Sequence, residues 1–388
     1  MVLGSATPSI ESMYNAKTGK YKLLELPERV DDAKLPNILM VNMAKGKEKK
    51  KMENIFSSTL LDKIEERLKK QEGVIILQNR RGFSTQIYCS DCSEIETCDN
   101  CSVPMVLHLN KNIIQCHYCS LEKKVPGACT KCGSLAVKYF GAGTERVEDE
   151  LEYYFKNVNI SRVDSDSINR KSTLGKILFS FSHGEIDILV GTQMVSKGLD
   201  FSRVTLVGVV SAETTLWLPD FRADERTFQL LTQVSGRAGR SKVPGEVVIQ
   251  TQNEKHFTLQ MVLSNNYDGF YQKEITEREK LGYPPFARIA LIEAKDESEK
   301  RAEGAIDDFY YELIKYKKWL NISSPISAVI SKIKVFYRFH ILIKSKKETD
   351  PAGGILKKAI LETFVEFNKR SRYKEVRFIY DIDPQSVM

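Results

Sequence analysis

Eight cysteines carry the most specific chemistry in this 388-residue chain, and all of them fall in Cys-x-x-Cys pairs: Cys89/Cys92, Cys98/Cys101, Cys116/Cys119 and Cys129/Cys132. Two intervening residues let both sulfurs of a pair turn toward one point, as a tetrahedral ion with Zn–S of about 2.3 Å requires. Four pairs supply eight ligands, enough for two four-cysteine sites with none left over. Disulfides and buried thiols are the competing readings. Confinement of every cysteine to residues 89–132 argues against scattered thiols, and the lack of a basic and apolar leader after Met1 argues against an oxidising compartment. The expectation is two structural Zn²⁺ ions in a cytoplasmic protein. Four thiolates close each tetrahedron and leave no place for water, so such ions hold a segment folded and hydrolyse nothing. His108 and His117 lie inside the segment but are not needed as ligands, and are read as surface or packing residues.

A second chemistry is written in Gln233-Val234-Ser235-Gly236-Arg237-Ala238-Gly239-Arg240. Arg237 and Arg240, three apart on a helical turn, fall on one side, and the small residues between them permit close approach. Guanidinium forks match phosphate geometry and can stabilise charge on a transferring phosphoryl group. The alternative is a basic helix end that balances its own dipole. Gly191-Thr192-Gln193-Met194-Val195-Ser196-Lys197-Gly198-Leu199-Asp200-Phe201 follows an apolar strand, where open α/β sheets bind ligands. Asp200 suits a ribose hydroxyl. Gly141-Ala142-Gly143-Thr144-Glu145 precedes a helix whose positive end suits a phosphate. Each of these two is weak alone, because glycine-rich strand–helix turns are common for structural reasons.

The elements that must position these residues read as three territories. Residues 1–56 open with an apolar-to-small strand end, Val2–Ser9, and contain a lysine run, Lys45–Lys51, read as a solvated connector. A helix from Ser57 places Leu60, Leu61, Ile64 and Leu68 on one face, and Val74–Leu77 reads as a buried strand. After the cysteines come a helix over Glu145–Phe155, strands at Ile186–Val190, Val204–Val210 and Glu246–Gln250, and a helix over Asp224–Ser235. Alternating strands and helices imply a mostly parallel sheet covered on both faces, with the cysteine module inserted into it. Beyond about residue 255 the order is strand, helix, strand, strand, helix, strand: Arg288–Glu293, Glu297–Tyr316, Ile326–Ile330, Val335–Ile343, Gly354–Lys369 and Glu375–Asp381. That is the ferredoxin-like order.

The expected division is 1–56 as the end of a first lobe and connector, 57–88 with 133–255 as an α/β lobe, 89–132 as the inserted double-zinc module, and 256–388 as an α+β C-terminal domain. Lys+Arg 58 against Asp+Glu 51 gives a formal charge of +7, which permits nucleic-acid binding without requiring it. Eight thiolates and two Zn²⁺ would bring this to about +3. No run approaches the roughly 20 apolar residues of a membrane span, so no membrane is expected as a partner.

Taken together and in this order, these residues resemble the PriA-type replication-restart helicases of superfamily 2. Gly4-Ser5-Ala6-Thr7-Pro8-Ser9 is similar to the family's motif III. Asn79-Arg80-Arg81-Gly82 leads into the cysteines as in that family, and Gly143–Arg146 and Gly191–Phe201 match later motifs. Asp220–Thr227 followed by Gln233–Arg240 resembles motif VI and its approach, and Asp381–Gln385 resembles the family's C-terminal end. The resemblance implies a RecA-like second helicase lobe with ATP-dependent 3′→5′ unwinding at stalled forks and a part in primosome assembly. It implies that Arg237 and Arg240, with Gln233, act on the γ-phosphate, that Gly198 and Asp200 line the nucleotide, and that Thr144 and Thr192 touch DNA. Ser5, Ala6 and Thr7 would couple nucleotide state to DNA movement. For zinc it implies a nested pairing, Cys89, Cys92, Cys129 and Cys132 on one ion and Cys98, Cys101, Cys116 and Cys119 on the other. Forked or single-stranded DNA, primosome proteins and single-stranded DNA-binding protein are the implied partners of a monomer.

One departure is large. ATP and Mg²⁺ need Gly-x-x-x-x-Gly-Lys-[Ser/Thr] and an acidic box. Neither occurs here; Gly19-Lys20-Tyr21 and Gly175-Lys176-Ile177 lack the Ser/Thr and the preceding glycine. The chain alone is therefore expected to be inactive. The alternative is a non-catalytic, zinc-containing DNA- or primosome-binding module. A metal hydrolase is disfavoured for want of an open His/Asp/Glu site. Trp217 and Phe221 could stack on bases, but packing is the favoured reading.

Overall fold

The computed structural model describes residues 1–26, 36–46, 55–78, 86–108, 112–140, 147–163, 171–191, 201, 203–236 and 245–387. Six parallel strands form the largest sheet, in the spatial order Asn37–Asn42, Glu246–Thr251, Val204–Val209, Gly73–Leu77, Ile188–Gly191, Ile160–Val163. Period-two alternation sorts their side chains onto two faces. Ile75, Leu77, Val207, Val209, Val247 and Ile249 enter one core, while Val74, Ile76, Leu206 and Val248 enter the other. Strands buried on both faces lose the polar alternation of a half-exposed sheet, which is why they read as apolar runs.

Helices cover both faces. Ser58–Lys69 starts where the Ser57 side chain accepts from the amide of Leu60 at 3.2 Å, and it lays Leu60 and Ile64 on the sheet. This packing is close enough to need Gly208, where a Cβ would stand 2.9 Å from both Ile76 and Leu60. The opposite face takes Ala223–Ser235, through Phe228, Leu231 and Val234, and the helices Phe257–Leu263 and Tyr267–Leu281.

Two expectations change at the N-terminal side. Val2–Ser9 forms no strand; it runs unpaired into the helix Ile10–Lys17, with Val2 and Leu3 exposed. An apolar run alone does not make a strand when no neighbour supplies its ladder bonds. Conversely, Asn37–Asn42 adds an unforeseen edge strand beside Glu246–Thr251. Lys47–Lys51 lies outside the described residues.

The last sheet has the spatial order Ile326–Ile333, Phe336–Lys346, Ala287–Asp296, Arg377–Ile382, antiparallel throughout, and the short strand Asn321–Ile322 also pairs with Phe336–Lys346. With the helices Glu299–Leu313 and Gly354–Arg370 on one face, this is the split β-α-β arrangement expected from element order. Among the described residues no helix is long and apolar enough to cross a membrane.

Candidate metal centres and the junction around them

The cysteines stand between these two sheets. Gln86–Cys89 pairs with Val137–Phe140 as a ribbon, and Val106–His108, Ile113–Gln115 and Glu122–Lys124 form a three-stranded sheet beyond it. Each Cys-x-x-Cys makes the same turn. The residue after the second cysteine takes positive φ: Ser93 61°, Ser102 51°, Ser120 63°, Gly133 75°. Its amide donates to the carbonyl of the first cysteine at 2.8–2.9 Å, and the first cysteine's amide donates five residues on, to Glu94, Val103, Leu121 and Ser134. The recurring Ser or Gly after each pair is a sequence signal that spacing alone passes over. Three serines held in this region cost about 1 kcal/mol or more each, so something must fix them there.

The turns bring the sulfurs into two groups, Cys89, Cys92, Cys129, Cys132 and Cys98, Cys101, Cys116, Cys119, each with its ligand atoms within 4.8 Å of one another. This is the grouping that the family resemblance implies. Sγ–Sγ separations are 3.7 Å for Cys89/Cys132, 3.6 Å for Cys92/Cys129 and 3.5 Å for Cys98/Cys119. A zinc tetrahedron with bonds of about 2.3 Å needs about 3.8 Å between sulfurs, and a disulfide about 2.05 Å. The set therefore fits a closed zinc site. Within the second group the neighbouring sulfurs push the Cys101 thiol far up and hold the Cys98 thiol down, because the buried sulfurs share protons with one another. Four thiolates this close require a cation.

The two sites have different surroundings. The first lies over the carboxyl edge of the parallel sheet, where Ser93 Oγ donates to the Gln252 carbonyl at 2.5 Å; Cys132 is exposed. The second is enclosed. Cys98, Cys101 and Cys116 share one buried cluster with Phe221, Tyr283, Ile289, Leu291, Leu342 and Val387. Tyr283 Oη donates to the Cys101 carbonyl at 3.0 Å, and the Phe221 amide donates to Tyr118 Oη at 3.1 Å. The Phe221 and Tyr283 rings stack at 4.5 Å, with Lys344 Nζ 3.7 Å from the Tyr283 ring centre. Burial pushes the Lys344 pKa down while the sulfurs of Cys101, Cys116, Cys119 and Cys98 draw it back up. His108 and His117 belong to neither cysteine group; their Nε2 atoms lie 3.1 Å apart, and burial first pushes His117 down to about 3.

The segment read as coupling is tied to the helix Ala223–Ser235. Gln229 Nε2 donates to the Thr7 carbonyl at 3.3 Å, and the Ile10 amide donates to Glu225 Oε1 at 3.0 Å. Ser5 and Ala6 are exposed, whereas Thr7 is buried with its hydroxyl unpartnered among the described residues. Buried Arg278, invisible to motif reading, holds this region through Glu225 Oε2 at 2.6 Å, Glu274 Oε1 at 2.9 Å and Glu11 Oε1 at 3.2 Å. Gln233 is exposed in the last turn of that helix. Arg237, Arg240, Gly198, Asp200, Thr144 and Thr192 lie outside the described residues, as do Asn79–Gly82. Trp217 packs against Tyr88 at 5.1 Å and is buried, as is Phe221, so neither is open to stack on a base.

A parallel α/β lobe carrying two four-cysteine centres is followed by a split β-α-β domain, the architecture expected of a second helicase lobe with a cysteine-rich insertion. Residues 98–124 match the family described as the PriA DNA helicase Cys-rich region domain, residues 136–242 the helicase conserved C-terminal domain, and residues 279–385 the primosomal protein N C-terminal domain. Over its whole length the chain is similar to the C-terminal portion of PriA proteins. It is 40% identical over 389 residues to the replication restart protein PriA of Bacillus subtilis (strain 168), covering 100% of this chain and 48% of that protein. Against the PriA of Chlamydia pneumoniae it is 37% identical over 392 residues, covering 100% and 51%, and against that of Haemophilus influenzae 36% over 391, covering 100% and 52%. The chain thus spans about half the length of these relatives.

Proposed function

We propose that this chain supplies the second motor lobe, the zinc module and the C-terminal domain of an ATP-dependent 3′→5′ DNA helicase that acts in replication restart and primosome assembly. The observation that carries this reading is the pair of four-cysteine centres set into a parallel helicase-type sheet, with the cysteine-rich and helicase matches in one chain. The proposed division is residues 1–56, 57–88 with 133–255, 89–132, and 256–388. Zinc, when bound by the two cysteine groups, supplies structural closure and no reaction. In the complete enzyme Arg237, Arg240 and Gln233 would face the γ-phosphate of ATP–Mg²⁺, Gly198 and Asp200 the rest of the nucleotide, and Thr144 and Thr192 the DNA. Ser5, Ala6 and Thr7 would couple the two. Forked or single-stranded DNA, primosome proteins and single-stranded DNA-binding protein are the partners proposed, for a cytoplasmic monomer.

The test is ATP hydrolysis by the purified chain, with and without forked DNA. Background turnover is expected, because arginines cannot replace a phosphate cradle. Clear turnover that Arg240→Ala abolishes would mean a nucleotide site complete within this chain, against the lobe assignment.

A further inference from the structure

The segment after the last strand is held by a run of specific hydrogen bonds. The Asp383 amide donates to the Ile289 carbonyl at 2.7 Å, which turns the chain off the sheet. The next three residues then meet groups at the start of the helix Ala223–Ser235. Arg222 Nη1 donates to the Pro384 carbonyl at 3.2 Å, and Arg226 Nη2 donates to the Gln385 carbonyl. Ser386 Oγ donates to Asp220 Oδ2 at 3.2 Å. Val387 follows, buried in the cluster that holds Phe221, Tyr283 and the second cysteine group.

Asp220 is the centre of this arrangement. It is 2% exposed, and its carboxylate accepts from the Arg222 amide at 3.0 Å, from Arg226 Nη1 at 3.0 Å and from Ser386. The first two of these contacts fix the helix start, where an anion is also favoured by the helix dipole. The third contact belongs to a segment 166 residues away in sequence. Arg222 extends the set on the other side, with Nη2 donating to Glu11 Oε1 at 3.0 Å in the helix that follows Thr7.

We propose that Pro384–Val387 is a strap that positions the helix Ala223–Ser235, with Asp220, Arg222 and Arg226 as its positioning residues. The helix ends within the Gln233–Arg240 motif, so the strap sets the position of Gln233–Gly236, the described part of that motif, and links it to the C-terminal sheet. What the segment does rests on the helicase reading; the strap itself does not. Loss of a strap contact loosens both ends of the clasp together and leaves distant elements unchanged.

The test is hydrogen exchange by mass spectrometry on the zinc-loaded full chain, comparing Arg226→Ala and the milder Ser386→Ala with the parent. Both variants are expected to speed exchange about fivefold or more in Thr232–Gly236 and in Pro384–Val387 alike. The helix Gly354–Arg370 and the zinc content should stay as in the parent in both variants. The thermal midpoint should stay in Ser386→Ala, while Arg226→Ala lowers it by a few degrees because the buried Asp220 carboxylate loses its guanidinium. Faster exchange confined to Pro384–Val387 overturns the proposal, since the segment would then be a passive end. Faster exchange throughout the chain overturns it too, because the contacts would then serve general stability alone. Neither readout needs ATP turnover, so failure of the helicase reading leaves this result standing, and the reverse.

Discussion

The two cysteine centres share ligand number, spacing and turn geometry, yet they sit in opposite circumstances. The first closes a two-stranded ribbon at the sheet edge, with Cys132 exposed. The second is a meeting point: Phe221 from the α/β lobe, Tyr283 from the end of a helix, Leu291 and Leu342 from the C-terminal sheet, and Val387 all enclose it. Identical ligand chemistry therefore serves two tasks. One ion would hold its own segment, and the other would hold three parts of the molecule against one another. Context, not the ligand set, decides what a structural metal stabilises.

The most severe way to break this contrast is to remove one ligand from each centre. Cys116, 0% exposed, lies inside the shared cluster. Cys116→Ser should lower the thermal midpoint by about 10 °C or more and reduce bound zinc from two ions toward one, since a structural site contributes its binding free energy to folding. Cys132→Ser should lose the other ion with a fall of only a few degrees, because little packs on that rim. Circular dichroism melting with metal analysis reads both. Equal losses of stability would remove the distinction between edge and junction.

Chelation probes the same difference without mutation. With a zinc-binding dye in excess, release is expected in two phases of equal amplitude. The fast phase comes from Cys89, Cys92, Cys129 and Cys132, and the slow phase, about tenfold slower or more, waits on opening of the buried cluster. Cys132→Ser should delete the fast phase alone. A single phase from the parent chain would show that the two centres open together.

Much of this architecture is legible in the sequence, for reasons that differ by element. The cysteine spacing is a local constraint, so it discloses two four-cysteine sites, whereas the nested pairing is what the family resemblance implies and spacing alone does not give it. Strands such as Val204–Val209 are buried on both faces and announce themselves as apolar runs. The enclosure of the second centre is not legible, because its parts lie far apart: Tyr283 meets Cys101 across 182 residues, and the Phe221 amide meets Tyr118 across 103. Asn37–Asn42 becomes a strand because Glu246–Thr251 offers it a ladder, and Val2–Ser9 has no such neighbour among the described residues. Arg278 belongs to no motif, and in a helix otherwise rich in charge only burial distinguishes it. The motif residues Arg237, Arg240, Gly198 and Asp200 stand out by order and type, while their geometry lies outside the described residues.

The finest test of the contrast removes a single hydroxyl. Tyr283 does two things at the second centre: its ring stacks on Phe221 and lies under Lys344, and its hydroxyl donates to the Cys101 carbonyl. Tyr283→Phe keeps the ring, and with it the stacking and the cation–π contact, but leaves a ligand-bearing turn with one buried carbonyl short of a donor. A neutral hydrogen bond of this kind contributes about 1 kcal/mol, and the stranded acceptor adds to the cost. The expected result is therefore a small fall in midpoint, of the order of 2–4 °C, with the slow phase of zinc release quickened severalfold and the fast phase untouched. That selectivity is the point of the measurement. If both phases quicken alike, Tyr283 supports the whole module and not the second centre, and the junction is no tighter around one ion than around the other.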